Sequence, residues 1–207
     1  WQQRKKMGQI MFKITLATGN PHKVEEINLI AKDYKIEFVL PKGDFDPIED
    51  SDNFLGNAYC KALCASKSQT TELYLADDSG LCTEALNGAP GIHSARYAPT
   101  AQERINKLLD VMKDKENRKA YFTCAMVIVD KTGKILFKTQ QFCHGEILKE
   151  QKGEGGFGYD PIFFVESENM GMAELSKEQK AKVSHRAKAL NEVLNWLKNE
   201  YFKNKNI

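Results

Sequence analysis

Thr18-Gly19-Asn20-Pro21-His22-Lys23 closes an apolar stretch and opens a run with helical spacing. A turn that feeds a helix start presents unpaired backbone N–H groups and the positive end of the helix dipole, a natural seat for phosphate. Lys23 adds a point charge, and Thr18 and Asn20 add side-chain hydrogen-bonding groups. The segment lacks the Gly-x-x-x-x-Gly-Lys-Ser/Thr spacing of a P-loop. A plain turn with Asn20 as helix cap accounts for it equally well.

Asp77-Asp78-Ser79-Gly80 ends the short apolar run 73–76, read as a buried strand that these residues stop. Magnesium takes one or two carboxylates together with substrate phosphates and water. Neighbouring residues of an extended chain point to opposite faces, so one Asp faces a site and the other holds structure. A surface Asp-rich turn is the bland alternative. Further on, four glycines fall within 153–160, interleaved with Phe157 and Tyr159. Glycine lets backbone approach a flat ligand, and an aromatic ring can stack on a base; a flexible turn with aromatic anchors reads the same. Ser184-His185-Arg186 offers donors to a keto oxygen, and Arg186 also suits phosphate. A surface His-Arg pair is the commoner meaning of such a dipeptide taken alone. Phosphate seat, metal carboxylate, base platform and polar base readers together describe nucleotide chemistry.

The elements that must position these residues follow from periodicity. Residues 12–17 read as a first strand and Val24, Ile27 and Ile30 as one face of a helix. Residues 36–40 read as a second strand and 41–52 as an acidic loop with Asp44, Asp46, Glu49, Asp50 and Asp52. Phe54, Ala58, Ala62 and Ala65 mark another helix, and 100–112 a third. Residues 121–129 and 135–144 form a long antiparallel hairpin around Lys131-Thr132-Gly133. Residues 161–165 read as a strand, and Ser176 with Gln179 as a capping box that opens the C-terminal helical region. Parallel-type units combined with one long hairpin predict an α/β fold with a mixed sheet.

Composition sets the frame. Hydrophobic residues make up 42% and charged residues 28% of the 207 residues, with a formal net charge of only +2. No global field draws the chain to nucleic acid or membrane, and no apolar run approaches the roughly 18 residues of a bilayer span. Residues 1–11 are read as an N-terminal extension of uncertain status that does not resemble a signal peptide, and 12–207 as one domain. Cys60, Cys64, Cys82, Cys124 and Cys143 are odd in number and widely spaced. They read as small buried thiols in a reducing, cytoplasmic compartment rather than a disulfide framework or a zinc site.

Five motifs in series resemble the inosine triphosphate pyrophosphatase family, the non-canonical purine NTP pyrophosphatases. They are Leu16-Ala-Thr-Gly-Asn20 with Lys23, Ala76-Asp-Asp-Ser-Gly-Leu81, Gly88-Ala-Pro-Gly-Ile-His-Ser-Ala-Arg-Tyr97, Gly155-Gly-Phe-Gly-Tyr-Asp-Pro-Ile-Phe-Phe164 and Ser184-His-Arg186. The resemblance implies an elongated mixed sheet flanked by helices, two lobes with a cleft between them, a homodimer, magnesium as cofactor, and cleavage of a purine nucleoside triphosphate to monophosphate and pyrophosphate. It implies that Thr18, Gly19, Asn20, Pro21, His22 and Lys23 hold the triphosphate, with Lys61 as a further cation. Asp78 would be the catalytic carboxylate and a metal ligand, Glu49 the second metal ligand, and Ser79 a substrate contact. Phe157, Gly158, Tyr159 and Asp160 would form the base platform and wall, while Lys180, His185 and Arg186 reach base or phosphates. One departure stands out: the family's Glu-Asn-Ala triplet reads Gly56-Asn57-Ala58 here.

The chemistry agrees. Each cation about 4 Å from a phosphate contributes on the order of 4 kcal/mol at an effective dielectric near 20, so two or three outweigh the ~10²–10⁴-fold of a single general base. A donor from His185 or Arg186 to the 6-keto oxygen would reject adenine, whose amino group offers a second donor. Rejection of guanine must involve the 2-position, for which the sequence supplies no account. Two other readings compete. One is a nucleotide sensor without turnover, motivated by Gly56; the other is a thiol hydrolase using Cys82 or Cys124 with His93, His144 or His185.

Overall fold

A computed structural model describes residues 11–43 and 45–205. The expected N-terminal extension lies outside the described residues except for Met11, as does Asp44 of the acidic loop.

The order of elements is β1 (Phe12–Leu16), α1 (Pro21–Ala31), β2 (Ile36–Val39), α2 (Phe54–Ser66), β3 (Leu73–Thr83), α3 (Ala101–Val111), β4 (Lys119–Asp130), β5 (Ile135–Ile147), β6 (Phe163–Val165), β7 (Met170–Gly171), α4 (Lys177–Val183) and α5 (His185–Trp196). The seven strands form one sheet in the order β2-β1-β3-β4-β5-β6-β7. β1 runs parallel to β2 and β3, and every later neighbour pairs antiparallel. The mixed α/β sheet is therefore as expected. β1 pairs only with Leu73–Leu75 at the start of β3, whereas β6 pairs with Gly145–Ile147 at the end of β5. The short strands thus sit at opposite ends of three long ones, which makes the sheet elongated.

The core divides in the same way. Ile14, Leu16, Leu73 and Leu75 pack under α1 and α5 on one face, and Tyr74, Ala76 and Val127 pack under α2 on the other. Phe122, Ile147, Phe163 and Val165 form a third cluster with Leu108 and Met112, toward the far end of the long strands.

Two expectations need correction. β3 does not stop at Ala76 but continues through both aspartates to Thr83, paired residue for residue with β4. The carboxylates are tolerated inside a buried strand because cations from other elements meet them. The strand read over 161–165 begins only at Phe163, because Asp160–Ile162 forms a 3-10 turn with Pro161 in its first turn. The C-terminal helical region consists of two helices. Ser184 takes an extended conformation between α4 and α5, and its side chain accepts from Ala187 N. The capping box of Ser176 with Gln179 is present as read, and a second one, Thr100 with Glu103, opens α3.

Candidate active site

Asn20 caps α1: its side-chain oxygen accepts from His22 N at 3.0 Å, and Pro21 fills the first helical position, where no N–H is needed. Capping and phosphate binding are compatible readings, since the cap uses Oδ1 and leaves the amide N–H₂ available. The cap also aims Lys23 at β3, where its Nζ lies 2.9 Å from Asp77 Oδ2.

The alternation of β3 separates the two aspartates. Asp77 points to the α1–α5 face and meets Lys23, Arg186 and the hydroxyl of Ser79. Burial opposes its charge, but Lys23, Arg186 and Lys61 outweigh that and hold its carboxyl well below the usual range. Asp78 points to the α2 face. It accepts from Lys61 Nζ at 2.8 Å and from Asn57 Nδ2 at 3.3 Å. Burial, reinforced by the charge of Glu49, pushes the Asp78 carboxyl up despite Lys61. Asp77 is therefore an ion-paired buried anion, and Asp78 is the aspartate of the two that lines the main cavity.

α4 and α5 bring the C-terminal groups to the same place. Arg186 is 2% exposed and donates to Asp77, Ser79 Oγ and Glu26. Lys180 bridges Glu26 and Asp160 and lies 4.7 Å above the Phe157 ring. Asp160 Oδ2 also accepts from Phe157 N at 2.7 Å, which shapes the glycine loop. That contact needs Gly156: its φ is +73°, and a Cβ there would lie 2.1 Å from the same oxygen. His185 is buried, stacks on Phe122 at 4.8 Å and has an Nδ1 with no hydrogen-bond partner. Burial, with Arg186 and Lys180 nearby, keeps its imidazole neutral at physiological pH.

Most of these groups open on one cavity of about 430 Å³, whereas Asp77, Glu26 and Asn57 stand behind its walls as partners of lining residues. Its walls include Thr18, Gly19, Asn20, Lys23, Glu49, Lys61, Asp78, Ser79, Phe157, Gly158, Tyr159, Asp160, Lys180, His185 and Arg186. Pro21 and His22 do not line it; His22 stacks on Phe157 at 5.1 Å and faces a neighbouring cavity of about 280 Å³. Tyr159 lines the cavity as part of its wall, its hydroxyl donating to Ser94 O at 2.9 Å.

The residue-by-residue match extends to known proteins. The Ham1 family model matches residues 14–196. The chain belongs to the Ham1 family. It is 43% identical over 195 residues to the dITP/XTP pyrophosphatase of Treponema denticola, spanning 90% of this chain and 98% of that one. The corresponding enzyme of Methylacidiphilum infernorum is 46% identical, over 89% and 93% of the two chains. A Ham1 protein from Coxiella burnetii superposes with a TM-score of 0.82 at 37% identity, over 91% and 99% of the chains. The Staphylococcus aureus Ham1 protein does so at 0.80 and 36%, over the same shares.

A divalent cation fits the Ham1 site found here. Asp78 Oδ1 and Glu49 Oε1 converge on one ammonium, Lys61 Nζ, at 2.8 and 3.5 Å. No cluster of three or more His, Cys, Asp or Glu side chains poised for a metal exists among the described residues, so two carboxylates would share the ion with substrate phosphates. Gly56 offers no third carboxylate, and its place is closed: a Cβ there would lie 1.9 Å from Ser51 Oγ.

The thiol-hydrolase reading fails on the same geometry. Cys124 is buried against Asp77, and burial pushes its thiol up to about 12. Cys82 is buried and likewise raised, so neither supplies a thiolate at neutral pH. Cys60 and Cys64, expected to be buried, are half-exposed.

Sequence reasoning missed Glu26, Asn57, Phe122, Ser94 and Arg104. Glu26 carried a usable signal, since it follows Lys23 by three on a helix and so shares its face. Ser94 and Asn57 lie within stretches that the family resemblance covers, 88–97 and 56–58, but were given no role, and nothing local marks Phe122 or Arg104.

Proposed function

We propose that this cavity binds the triphosphate of a non-canonical purine nucleoside, such as ITP, dITP or XTP, and hydrolyses it to the monophosphate and pyrophosphate, cleansing the nucleotide pool. One observation carries the reading: residues from the start of the chain (Thr18, Gly19, Asn20 and Lys23), its middle (Lys61 and Asp78) and its end (Lys180, His185 and Arg186) line a single cavity large enough for a nucleotide.

The α1 start, Lys23 and Lys61 hold the phosphate tail, and Asp78 supports attack at the phosphorus nearest the ribose. In the free protein Lys23 faces Asp77, Lys61 faces Asp78 and Glu49, Lys180 faces Glu26 and Asp160, and Arg186 faces Asp77 and Glu26. Each buried cation is thus compensated before substrate arrives, which avoids the large cost of an unpaired buried charge. A divalent ion, which we take to be magnesium, would be held by Asp78 and Glu49. When bound it supplies charge stabilisation for the phosphoryl oxygens. His185, neutral and with an unpartnered nitrogen, is suited to hydrogen-bond the 6-keto oxygen, and Phe157 to stack on the base.

We place this activity in one domain over residues 12–207, its two packed ends forming the lobes around the cavity. We also propose a homodimer in the cytoplasm without a nucleic-acid or membrane partner, in keeping with five free cysteines, the low net charge and the absence of a membrane-length apolar helix among the described residues. The deciding experiment assays pyrophosphate release from a panel of nucleoside triphosphates with and without magnesium. Release from ITP and XTP but not ATP is expected. Tight binding without release would establish the sensor reading, for which Gly56 is the motive, and size-exclusion chromatography with light scattering tests the dimer.

A further inference from the structure

Five cationic side chains line the main cavity, and four of them face carboxylates. Arg104 is the exception: among the described residues it forms no ion pair. Its Nη1 instead donates to the carbonyls of Ala95, Ala98 and Pro99 at 3.0, 3.2 and 3.5 Å. The guanidinium is therefore fixed by one nitrogen, while Nε and Nη2 keep their hydrogens for another acceptor. Its position in the cavity is defined by adjacent carbonyls. Tyr159 donates to Ser94 O and Arg104 to Ala95 O, so both side chains hold the same turn, and all four residues line the cavity. Tyr159 in turn precedes Asp160, the partner of Lys180. The wall thus runs without a break from the Lys180 side to Arg104.

On a purine, the 2- and 6-substituents flank N1. A wall that meets the 6-oxygen near His185 and Lys180 leaves the 2-substituent directed to the adjoining wall, where Tyr159, Ser94 and Arg104 stand. From this juxtaposition we infer that Arg104 is the specificity residue for the purine 2-position. A pre-positioned guanidinium donates to the 2-oxygen of xanthine, is indifferent to the hydrogen of hypoxanthine and opposes the 2-amino group of guanine, which would set donor against donor. Xanthine also loses a ring proton more readily than hypoxanthine, and its anion carries charge at the 2-oxygen, which a cation favours further. This supplies a physical basis for refusing GTP while accepting ITP and XTP. It rests on the function proposed above.

The test uses the full chain with Arg104→Met and Arg104→Lys. The readouts are kcat/KM for XTP, ITP and GTP, and calorimetric binding of xanthosine and inosine monophosphates without metal. The Met variant should lower the XTP-to-ITP ratio by about 10- to 100-fold and raise GTP relative to ITP. The xanthosine monophosphate preference should fall in parallel, and Lys, which keeps the charge, should restore part of it. Because each ratio is internal to one variant, partial misfolding does not move it; if the Met variant does not fold, the Lys variant still reports. Equal losses on all three triphosphates would show that Arg104 serves the phosphate tail or only the loop, and unchanged ratios would remove it from recognition; either overturns the inference. If the unaltered protein hydrolyses none of the three, the proposed function fails first.

Discussion

Glu26 and Arg186, 160 residues apart, form a part-buried ion pair that ties α1 to α5. The same carboxylate holds Lys180. One side chain on the helix that seats phosphate thus orients two groups assigned to the base side. Its own carboxyl is held low because Arg186 and Lys180 outweigh the burial that opposes its charge. Replacing Glu26 by Ala leaves two buried cations with less compensation. The expected loss is about 2–3 kcal/mol, below the ~3–5 of a fully buried pair because the Glu26 side chain keeps 19% exposure. Urea unfolding measures this directly, and an unchanged midpoint would show that Asp77 and Asp160 suffice alone.

Asp78→Asn should behave differently. Its carboxyl is disfavoured by burial, so the neutral isostere leaves the melting temperature within a few degrees of the parent while turnover falls by about 10³-fold or more. Paired thermal scans and pyrophosphate assays check both halves. Parent-like turnover would remove Asp78 from catalysis.

Gly56 marks the point where this chain departs from the Glu-Asn-Ala pattern, and Ser51 fills the space a side chain would need. Gly56→Glu alone should destabilise by about 1–3 kcal/mol through overpacking. Adding Ser51→Gly should recover most of that loss, giving a strongly non-additive double-mutant cycle. Additive effects would show that the two positions do not share the site.

His185 predicts a pH dependence of stability. Its folded pKa lies well below the ordinary 6.5, chiefly through burial. The unfolded chain therefore binds a proton that the folded one refuses as pH falls below 6.5. The stabilisation is present above that value and is lost at up to about 1.4 kcal/mol per pH unit as pH falls toward the folded pKa. His185→Phe should flatten this segment of the stability curve relative to the parent between pH 6.5 and 5. Parallel curves would show that His185 titrates normally.

The sequence by itself determined the element types, most of their order and the residues with chemical potential. Capping at Asn20 and Ser176, alternation in β4 and β5 and the glycine loop are local features, governed by groups a few residues apart. Opposite faces for Asp77 and Asp78 also followed from the two-residue strand period. Tertiary structure decided what depends on partners far along the chain. It carried β3 through its acidic residues, because Lys23, Lys61 and Arg186 arrive from three different helices. It made Arg186, read from the sequence as a donor to base or phosphate, one of the most buried side chains, and it moved His22 out of the main cavity onto Phe157. Glu26 and Arg104 gained their places the same way, since the charge of a side chain is written in its letter but the group it must balance is chosen only when the chain folds.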